Sequence, residues 1–295
     1  MSITTTFCPS CGRSVETEPG SLCPQCRGAE ASFAAEEKPG SPWPDVLWAF
    51  LIWGLSGAFL LGLDALLRLA LYLAHKPIPK VEITRGVAIL TLVITMALQI
   101  VALGASWMYV TRIGRKPFFQ TLGWRWHPQF RWGHAVAAAF LMFGVAAAIS
   151  QVLSHHETDM DKILKMGTFV RILVVVLAVL TAPLVEEVVY RGVVYSAVER
   201  LGGKVAGVVT VTAIFALVHV PQYWGSVAAI TAIVTLSLVL TLLRAWTGSL
   251  LPCVVMHLIY NGIQAVGLLV APDKMLEEST QKAAIVWIGH WLGVS

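Results

Sequence analysis

Six polar or ionisable residues interrupt strongly apolar stretches in the second half of this chain. They are Glu186, Glu187, Arg191, His219, His257 and Asn261. A charged side chain at bilayer depth costs roughly 2.5–3.5 kcal/mol even on lenient insertion scales, so such residues usually pair, line a cavity or do chemistry. Carboxylates and imidazoles together are the usual groups of general acid–base catalysis. We therefore expect a catalytic cavity within the membrane.

Helical spacing suggests a role for each of these residues, because side chains four apart lie on one face of an α-helix. Glu187 and Arg191 are four apart and are expected to pair, which leaves Glu186 as the candidate general base. His257 and Asn261 are also four apart and could together stabilise an oxyanion.

Phe215 precedes His219 by four residues and is expected to pack on its imidazole ring. Taken singly, a histidine or asparagine in a transmembrane helix more often joins two helices by a hydrogen bond than catalyses a reaction. The depths of the polar residues favour catalysis. Glu186, His219 and His257 each lie about thirteen to fifteen residues from a basic loop residue, which places all three about 20 Å from one membrane face.

Composition supports a membrane protein, since 57% of the 295 residues are hydrophobic and only 13% are charged. An ordinary soluble domain has roughly 25% charged residues. The formal net charge of +4 is spread over loops and forms no dense basic stripe, so nucleic acid is not an expected partner.

Seven apolar stretches are long enough to cross about 30 Å of hydrocarbon. They are residues 46–73, 87–111, 133–153, 169–198, 205–220, 226–243 and 249–271. An eighth stretch, 283–294, is short and is either a marginal span or an interfacial helix. The predicted fold is an all-α bundle of seven to eight transmembrane helices, embedded in the lipid bilayer.

Loop charges predict the orientation of this bundle. Residues Arg112 to Arg131 include five lysines or arginines, whereas the loop after Pro221 has none, so the first loop is expected on the cytosolic side. The N-terminus is then cytoplasmic. The basic loop from His75 to Arg85 argues in the opposite direction. The polar segment SHHETDMD, residues 154–161, is expected to be a solvated loop rather than a metal site.

The N-terminal segment carries two CxxC pairs, in FCPSCGR and LCPQCRG. Their cysteines are Cys8, Cys11, Cys23 and Cys26. This doubled spacing predicts a structural four-cysteine zinc ribbon over residues 1–28 rather than two disulfides. So short a segment cannot bury a useful core, so the metal would supply most of its folding free energy. We expect a flexible linker over 29–45, a membrane domain over 46–295 and a protein partner for the ribbon.

The polar residues of the membrane domain also resemble the motifs of a known family. EEVVYRG is similar to its EExxxR motif, FALVH to its FxxxH motif, and HLIYN to its HxxxN motif. The chain therefore resembles the CPBP family of CAAX prenyl endopeptidases and bacteriocin-processing enzymes, also called the Abi family, over about residues 120–271. The resemblance implies a bundle of about eight helices that encloses an intramembrane protease site. A compact zinc ribbon joined to such a membrane core looks like a prokaryotic arrangement, so a prokaryotic cell membrane is the expected location.

The same resemblance implies catalytic roles. Glu186 and His219 would activate a water molecule, His257 and Asn261 would stabilise the oxyanion, and Glu187 with Arg191 would hold the motif helix. Members have been described both as metalloproteases and as glutamate-type proteases, so a catalytic zinc ion on Glu186, His219 and His257 stays an alternative. The expected function is hydrolysis of a peptide bond in a membrane-associated substrate. The other hypothesis is a noncatalytic membrane adaptor or immunity scaffold that recruits a partner through its ribbon.

Overall fold

The computed structural model describes residues 4–7, 14–17, 43–58, 66, 69–75, 83–154 and 156–270. The chain divides into two compact units, Met1–Pro42 and Trp43–Ser295. The predicted stretch at 283–294 lies outside the described residues, so its interaction with the membrane stays a prediction.

The first unit contains two antiparallel strands, β1 (Thr4–Phe7) and β2 (Ser14–Thr17). Thr4 pairs with Thr17 and Phe7 with Ser14. The four cysteines of the predicted zinc ribbon lie outside the described residues, and the ribbon stays a prediction.

The second unit is helical throughout its described elements. Its α-helices are α1 (Trp43–Trp53), α2 (Arg85–Val110), α3 (Phe118–Thr121), α4 (Trp132–Val152), α5 (Asp159–Leu164), α6 (Thr168–Val175), α7 (Ala182–Glu186), α8 (Tyr195–His219), α9 (Val227–Thr247) and α10 (Leu251–Val270). Three π-helical segments continue them. Gly54–Ala58 follows α1, Val176–Thr181 joins α6 to α7, and Glu187–Val194 joins α7 to α8. Residues 69–73 are helical as well.

Within the described residues, five helices are long and apolar enough to cross a membrane, which confirms a helical membrane bundle. The longest of these runs for 52 residues from Thr168 to His219. A straight helix of that length would measure about 78 Å, far more than the hydrocarbon core. The backbone of Gly203, with φ of 80° and ψ of 176°, is not helical and divides the run into two arms. This bend lies within the loop that the sequence predicts between 198 and 205.

Two packed clusters form the interior of the bundle. The first surrounds the π-helical segment Glu187–Val194, whose eight residues are all buried. The second contains small residues of α4, including Ala135 and Ala139, packed against α9 and α10. Small residues allow helices to approach closely within a membrane. Large apolar side chains such as Ile100 (72% exposed) cover the outer surface, where lipid would contact them.

Candidate active site

Glu186 is the last residue of α7, which has a π-helical segment on each side. Such segments occur frequently at functional sites because they shift the register of backbone hydrogen bonds. Pro183 contributes to this shift. The N–H of Ala182 bonds to the carbonyl of Leu177, five residues back, and Pro183 has no N–H to offer the next carbonyl, that of Ala178.

Asn261 supplies the hydrogen bond to the Ala178 carbonyl that Pro183 cannot donate. Its Nδ2 donates a hydrogen bond of 2.8 Å to the carbonyl oxygen of Ala178. The HxxxN helix α10 is thereby attached to the backbone just before Glu186. One of the two amide hydrogens of Asn261 is used in this contact, and the other is available to a substrate.

The structure has the Glu187–Arg191 ion pair that the spacing predicts. Arg191 Nη1 lies 3.0 Å from Glu187 Oε1, and both side chains are 0% exposed. Arg191 also donates to α9, through Nε to Thr241 Oγ1 at 3.1 Å and through Nη2 to Ser237 Oγ at 2.9 Å. Removing one member of a buried pair typically costs about 3–5 kcal/mol, because the other charge is left uncompensated. The pair therefore fixes the motif helix against α9.

His257 lies between two carboxylates. Its Nδ1 is 2.8 Å from Glu187 Oε1 and its Nε2 is 3.9 Å from Glu186 Oε2. A carboxylate oxygen accepts hydrogen bonds, so Nδ1 carries a hydrogen atom and donates a hydrogen bond to Glu187 Oε1. The contact fixes the orientation of the imidazole and directs Nε2 toward Glu186. The sequence predicts that Glu187 pairs with Arg191; the structure adds that Glu187 also orients His257.

His219 is oriented in a similar way by the backbone. Its Nδ1 lies 2.7 Å from the carbonyl oxygen of Phe215 and donates a hydrogen bond to it, so in the neutral imidazole Nε2 has the lone pair. The Phe215 ring packs on the imidazole with centroids 4.6 Å apart, as the four-residue spacing predicts. Arg191 lies on this ring as well, 4.7 Å from its centroid.

One cavity of about 320 Å³ brings these residues together. Its walls include four predicted catalytic residues, contributed by α7, α8 and α10: Glu186, His219, His257 and Asn261. Phe215 lines the cavity too, whereas Glu187 and Arg191 do not and lie behind it. The rest of the wall is mainly apolar, which is typical of a site that holds a ligand by a few polar groups.

Gln99 of α2 also lines the cavity, although it was not predicted from the sequence. Its side chain is only 6% exposed, and its Oε1 accepts a 2.8 Å hydrogen bond from Thr181 Oγ1. Among the described residues, its amide nitrogen has no hydrogen-bond partner. A glutamine within an apolar span is costly to place there. Its position in the stretch 87–111 was the signal that could have identified it.

Residues 154–161 are only partly the solvated loop that the sequence predicts. Thr158 (2% exposed) and Asp161 (6% exposed) are buried and line the cavity. Both belong to the capping box at the start of α5, where Asp161 Oδ2 accepts from the Thr158 backbone N–H at 2.8 Å. The prediction of a solvated loop was wrong for Thr158 and Asp161, because these two residues cap a helix and are buried there.

Tyr223 lies beside this cap, in the loop between α8 and α9, and also lines the cavity. Burial raises the pKa of its phenol to about 12, and the nearby carboxylates of Asp161 and Glu186 act in the same direction. Tyr223 therefore keeps its proton at neutral pH and offers the cavity a neutral O–H donor.

The donor set for a catalytic metal ion is not assembled in this geometry. Among the described residues, no three histidine, cysteine, aspartate or glutamate side chains lie close enough together to hold one. His257 uses Nδ1 for Glu187, and its Nε2 is directed at a carboxylate. We therefore derive no reaction step through a metal ion.

The chain is similar to a known family of enzymes. Residues 168–263 match the sequence profile of a family described as type II CAAX prenyl endopeptidase Rce1-like. The matched segment contains all three motifs and confirms the resemblance to the CPBP and CAAX protease family. Searches of curated proteins and of solved structures found no match.

Proposed function

We propose that the chain is an intramembrane endopeptidase, on the premise that residues 168–263 match the Rce1-like family of type II CAAX prenyl endopeptidases. Its substrate would be a peptide or protein associated with the membrane. One observation carries the proposal: acid, imidazole and amide groups from separate helices line a single cavity inside an apolar bundle.

Solvent access distinguishes the two adjacent glutamates. The side chain of Glu186 is 20% exposed and that of Glu187 is 0% exposed. Water can therefore reach Glu186 but not Glu187, and we assign the general base to Glu186. His219, with a free Nε2 lone pair, supports the same water molecule from α8.

In the proposed reaction, Glu186 transfers one proton from the attacking water to the leaving nitrogen. Glu186 takes a proton from water as the oxygen attacks the carbonyl carbon of the scissile bond. The resulting tetrahedral species has a negatively charged oxygen. When its C–N bond breaks, Glu186 returns the proton to the leaving nitrogen, and the products are a new carboxyl group and a new amine.

Asn261 and His257 would stabilise the oxyanion. The free amide hydrogen of Asn261 is one donor, and His257 Nε2 is the other when the ring carries a second proton. Glu187 Oε1, 2.8 Å from Nδ1, would compensate the positive charge of that imidazolium. A buried Glu187 therefore contributes to the reaction by holding His257, without contacting the substrate.

The proposal is tested by proteolysis in reconstituted proteoliposomes. A panel of membrane-anchored peptides is incubated with wild type, His219→Ala and, as a matched control, His156→Ala, which alters an exposed histidine in a loop. We expect a cleavage product from wild type and His156→Ala that His219→Ala does not form. If no peptide gives a product that depends on His219, the noncatalytic adaptor becomes the better hypothesis.

A chelator tests the role of metal. We expect cleavage by the full chain to continue after treatment with a zinc chelator, because the described cavity residues do not form a three-ligand set. Loss of cleavage that added zinc restores, and that persists in a Cys8→Ser variant whose ribbon can no longer hold zinc, would contradict this expectation. It would instead support the alternative set of Glu186, His219 and His257.

A further inference from the structure

A second cavity of about 260 Å³ lies between the bend at Gly203 and the turn at Gly248. It shares no lining residue with the catalytic cavity. Its side chains are mostly polar and include Arg244, Lys204 and Glu199. The proposed hydrolysis uses none of them, so this cavity needs a separate explanation.

Arg244 is the central group of this second cavity. The residue is only 8% exposed, and its Nη1 donates to the carbonyl oxygens of Leu122 at 3.1 Å and Gly248 at 2.7 Å. These bonds hold the guanidinium in place. Its Nε is buried and has no hydrogen-bond partner among the described residues. A buried donor without a partner is costly and often indicates an ion or water bound there in solution.

The charge balance of the cavity favours an anion. Lys204 contributes a second positive charge from an exposed position on its rim, against the single carboxylate of Glu199. Arginine and lysine together are common ligands of phosphate, since guanidinium presents a planar set of donors and ammonium a mobile point charge.

The cavity lies where lipid headgroups would be found. Arg244 lies in the last turn of α9, and its bond to Leu122 connects it to the loop with five basic residues, Arg112 to Arg131. Trp246 beside it is 56% exposed, and its ring is 5.3 Å from that of His127. Tryptophan is enriched at the membrane–water interface, and basic cavities between transmembrane helices at the cytoplasmic face bind anionic headgroups.

We propose that this cavity binds a phosphate group of net negative charge, which Arg244 and Lys204 recognise, and does not bind a zwitterionic headgroup equally well. The phosphate could come from a lipid headgroup or from free phosphate in solution. The proposal does not depend on the proposed hydrolysis.

The test is a calorimetric titration of the purified full-length protein in a nonionic detergent. The ligands are short-chain phosphatidylglycerol, short-chain phosphatidylcholine and sodium phosphate, each tested separately. Two variants change the cavity without removing the Arg244 bonds, namely Lys204→Gln and Glu199→Gln. Arg125→Gln is the control, since it removes an exposed positive charge from the same face outside the cavity.

We expect one saturable site for phosphatidylglycerol, with affinity about fivefold weaker in Lys204→Gln, since one basic residue near a membrane surface contributes about that factor. Glu199→Gln should bind more tightly and Arg125→Gln should match wild type. The same pattern for sodium phosphate would identify the dissolved ion as a ligand too. Absence of saturable binding to both anions, equal binding of phosphatidylcholine, or an equal loss in Arg125→Gln would overturn the proposal.

Discussion

A single oxygen atom, Glu187 Oε1, connects the motif segment Glu187–Val194 directly to α10 and, through Arg191, to α9. It accepts hydrogen bonds from Arg191 Nη1 at 3.0 Å and from His257 Nδ1 at 2.8 Å. Arg191 also donates a hydrogen bond to Ser237 on α9. The carboxylate is completely buried, so these contacts are made in a low-dielectric environment where they are strong and costly to lose. The neighbouring Glu186 is left without an ion pair of that kind and remains open to water.

Gln99 gives a prediction at the same scale. We expect Gln99→Leu to lower kcat/KM by about tenfold, because a lost hydrogen bond to substrate costs about 1–1.5 kcal/mol. Thr181 remains bonded after the substitution, since its hydroxyl also lies 3.1 Å from the Leu177 carbonyl. The measurement is steady-state cleavage in proteoliposomes with the thermal midpoint of unfolding recorded in parallel.

The control for this variant is Gln151→Leu, which changes an exposed glutamine near the end of α4 outside the cavity. Its kcat/KM should equal that of wild type. If Gln99→Leu lowers the thermal midpoint and leaves kcat/KM unchanged, Gln99 is a structural residue and does not contact the substrate.

At the scale of helices, hydropathy predicts most of the bundle but not its backbone register. The stretches 87–111, 133–153 and 249–271 agree within about two residues with α2, α4 and α10. The π-helical segments were not predicted, because side-chain periodicity does not report which N–H bonds to which carbonyl. The Glu187–His257 contact was missed for a related reason, since helical spacing identifies neighbours on one helix and these residues are 70 apart.

Gly203 gives a prediction for the bend between the two arms. Its φ of 80° is in a region that residues with a side chain rarely adopt, although a Cβ there would meet no atom within 4 Å. Gly203→Ala should therefore destabilise the protein through backbone strain of about 1–3 kcal/mol. We expect a lower thermal midpoint in detergent, followed by tryptophan fluorescence.

Gly144→Ala is the matched control for this strain. Gly144 lies within α4, and a Cβ there would also meet no atom within 4 Å. Alanine is favoured over glycine in a helix by about 0.5–1 kcal/mol, so the midpoint should stay or rise. Equal midpoints for the two variants would show that the bend does not depend on the glycine.

At the scale of the whole molecule, the catalytic cavity and the proposed phosphate site are associated with different loops. Gln222 and Tyr223, after α8, line the first, and Gly248, after α9, lines the second. The positive-inside rule predicts that the loop after α8 is outside and the loop after α9 is cytosolic. The proposed catalytic cavity would then open away from the cytosol.

Cysteine labelling tests this orientation. Trp224 is 75% exposed in the loop after α8, and Arg125 is exposed in the basic loop before α4. In right-side-out membrane vesicles, an impermeant maleimide should label Trp224→Cys and should label Arg125→Cys only after permeabilisation. Cys253 is 0% exposed and should not react, and wild type gives the background. Labelling of Arg125→Cys in sealed vesicles would reverse the predicted orientation.

Glu186→Gln tests most directly whether Glu186 activates the water that cleaves the substrate. The substitution keeps the shape of the side chain and removes its basicity, so we expect kcat to fall at least about a hundredfold. The thermal midpoint should match that of wild type. Glu157→Gln, which alters a glutamate that pairs with Lys165 outside the cavity, should retain full activity. Cleavage by Glu186→Gln at a rate near that of wild type would contradict the account.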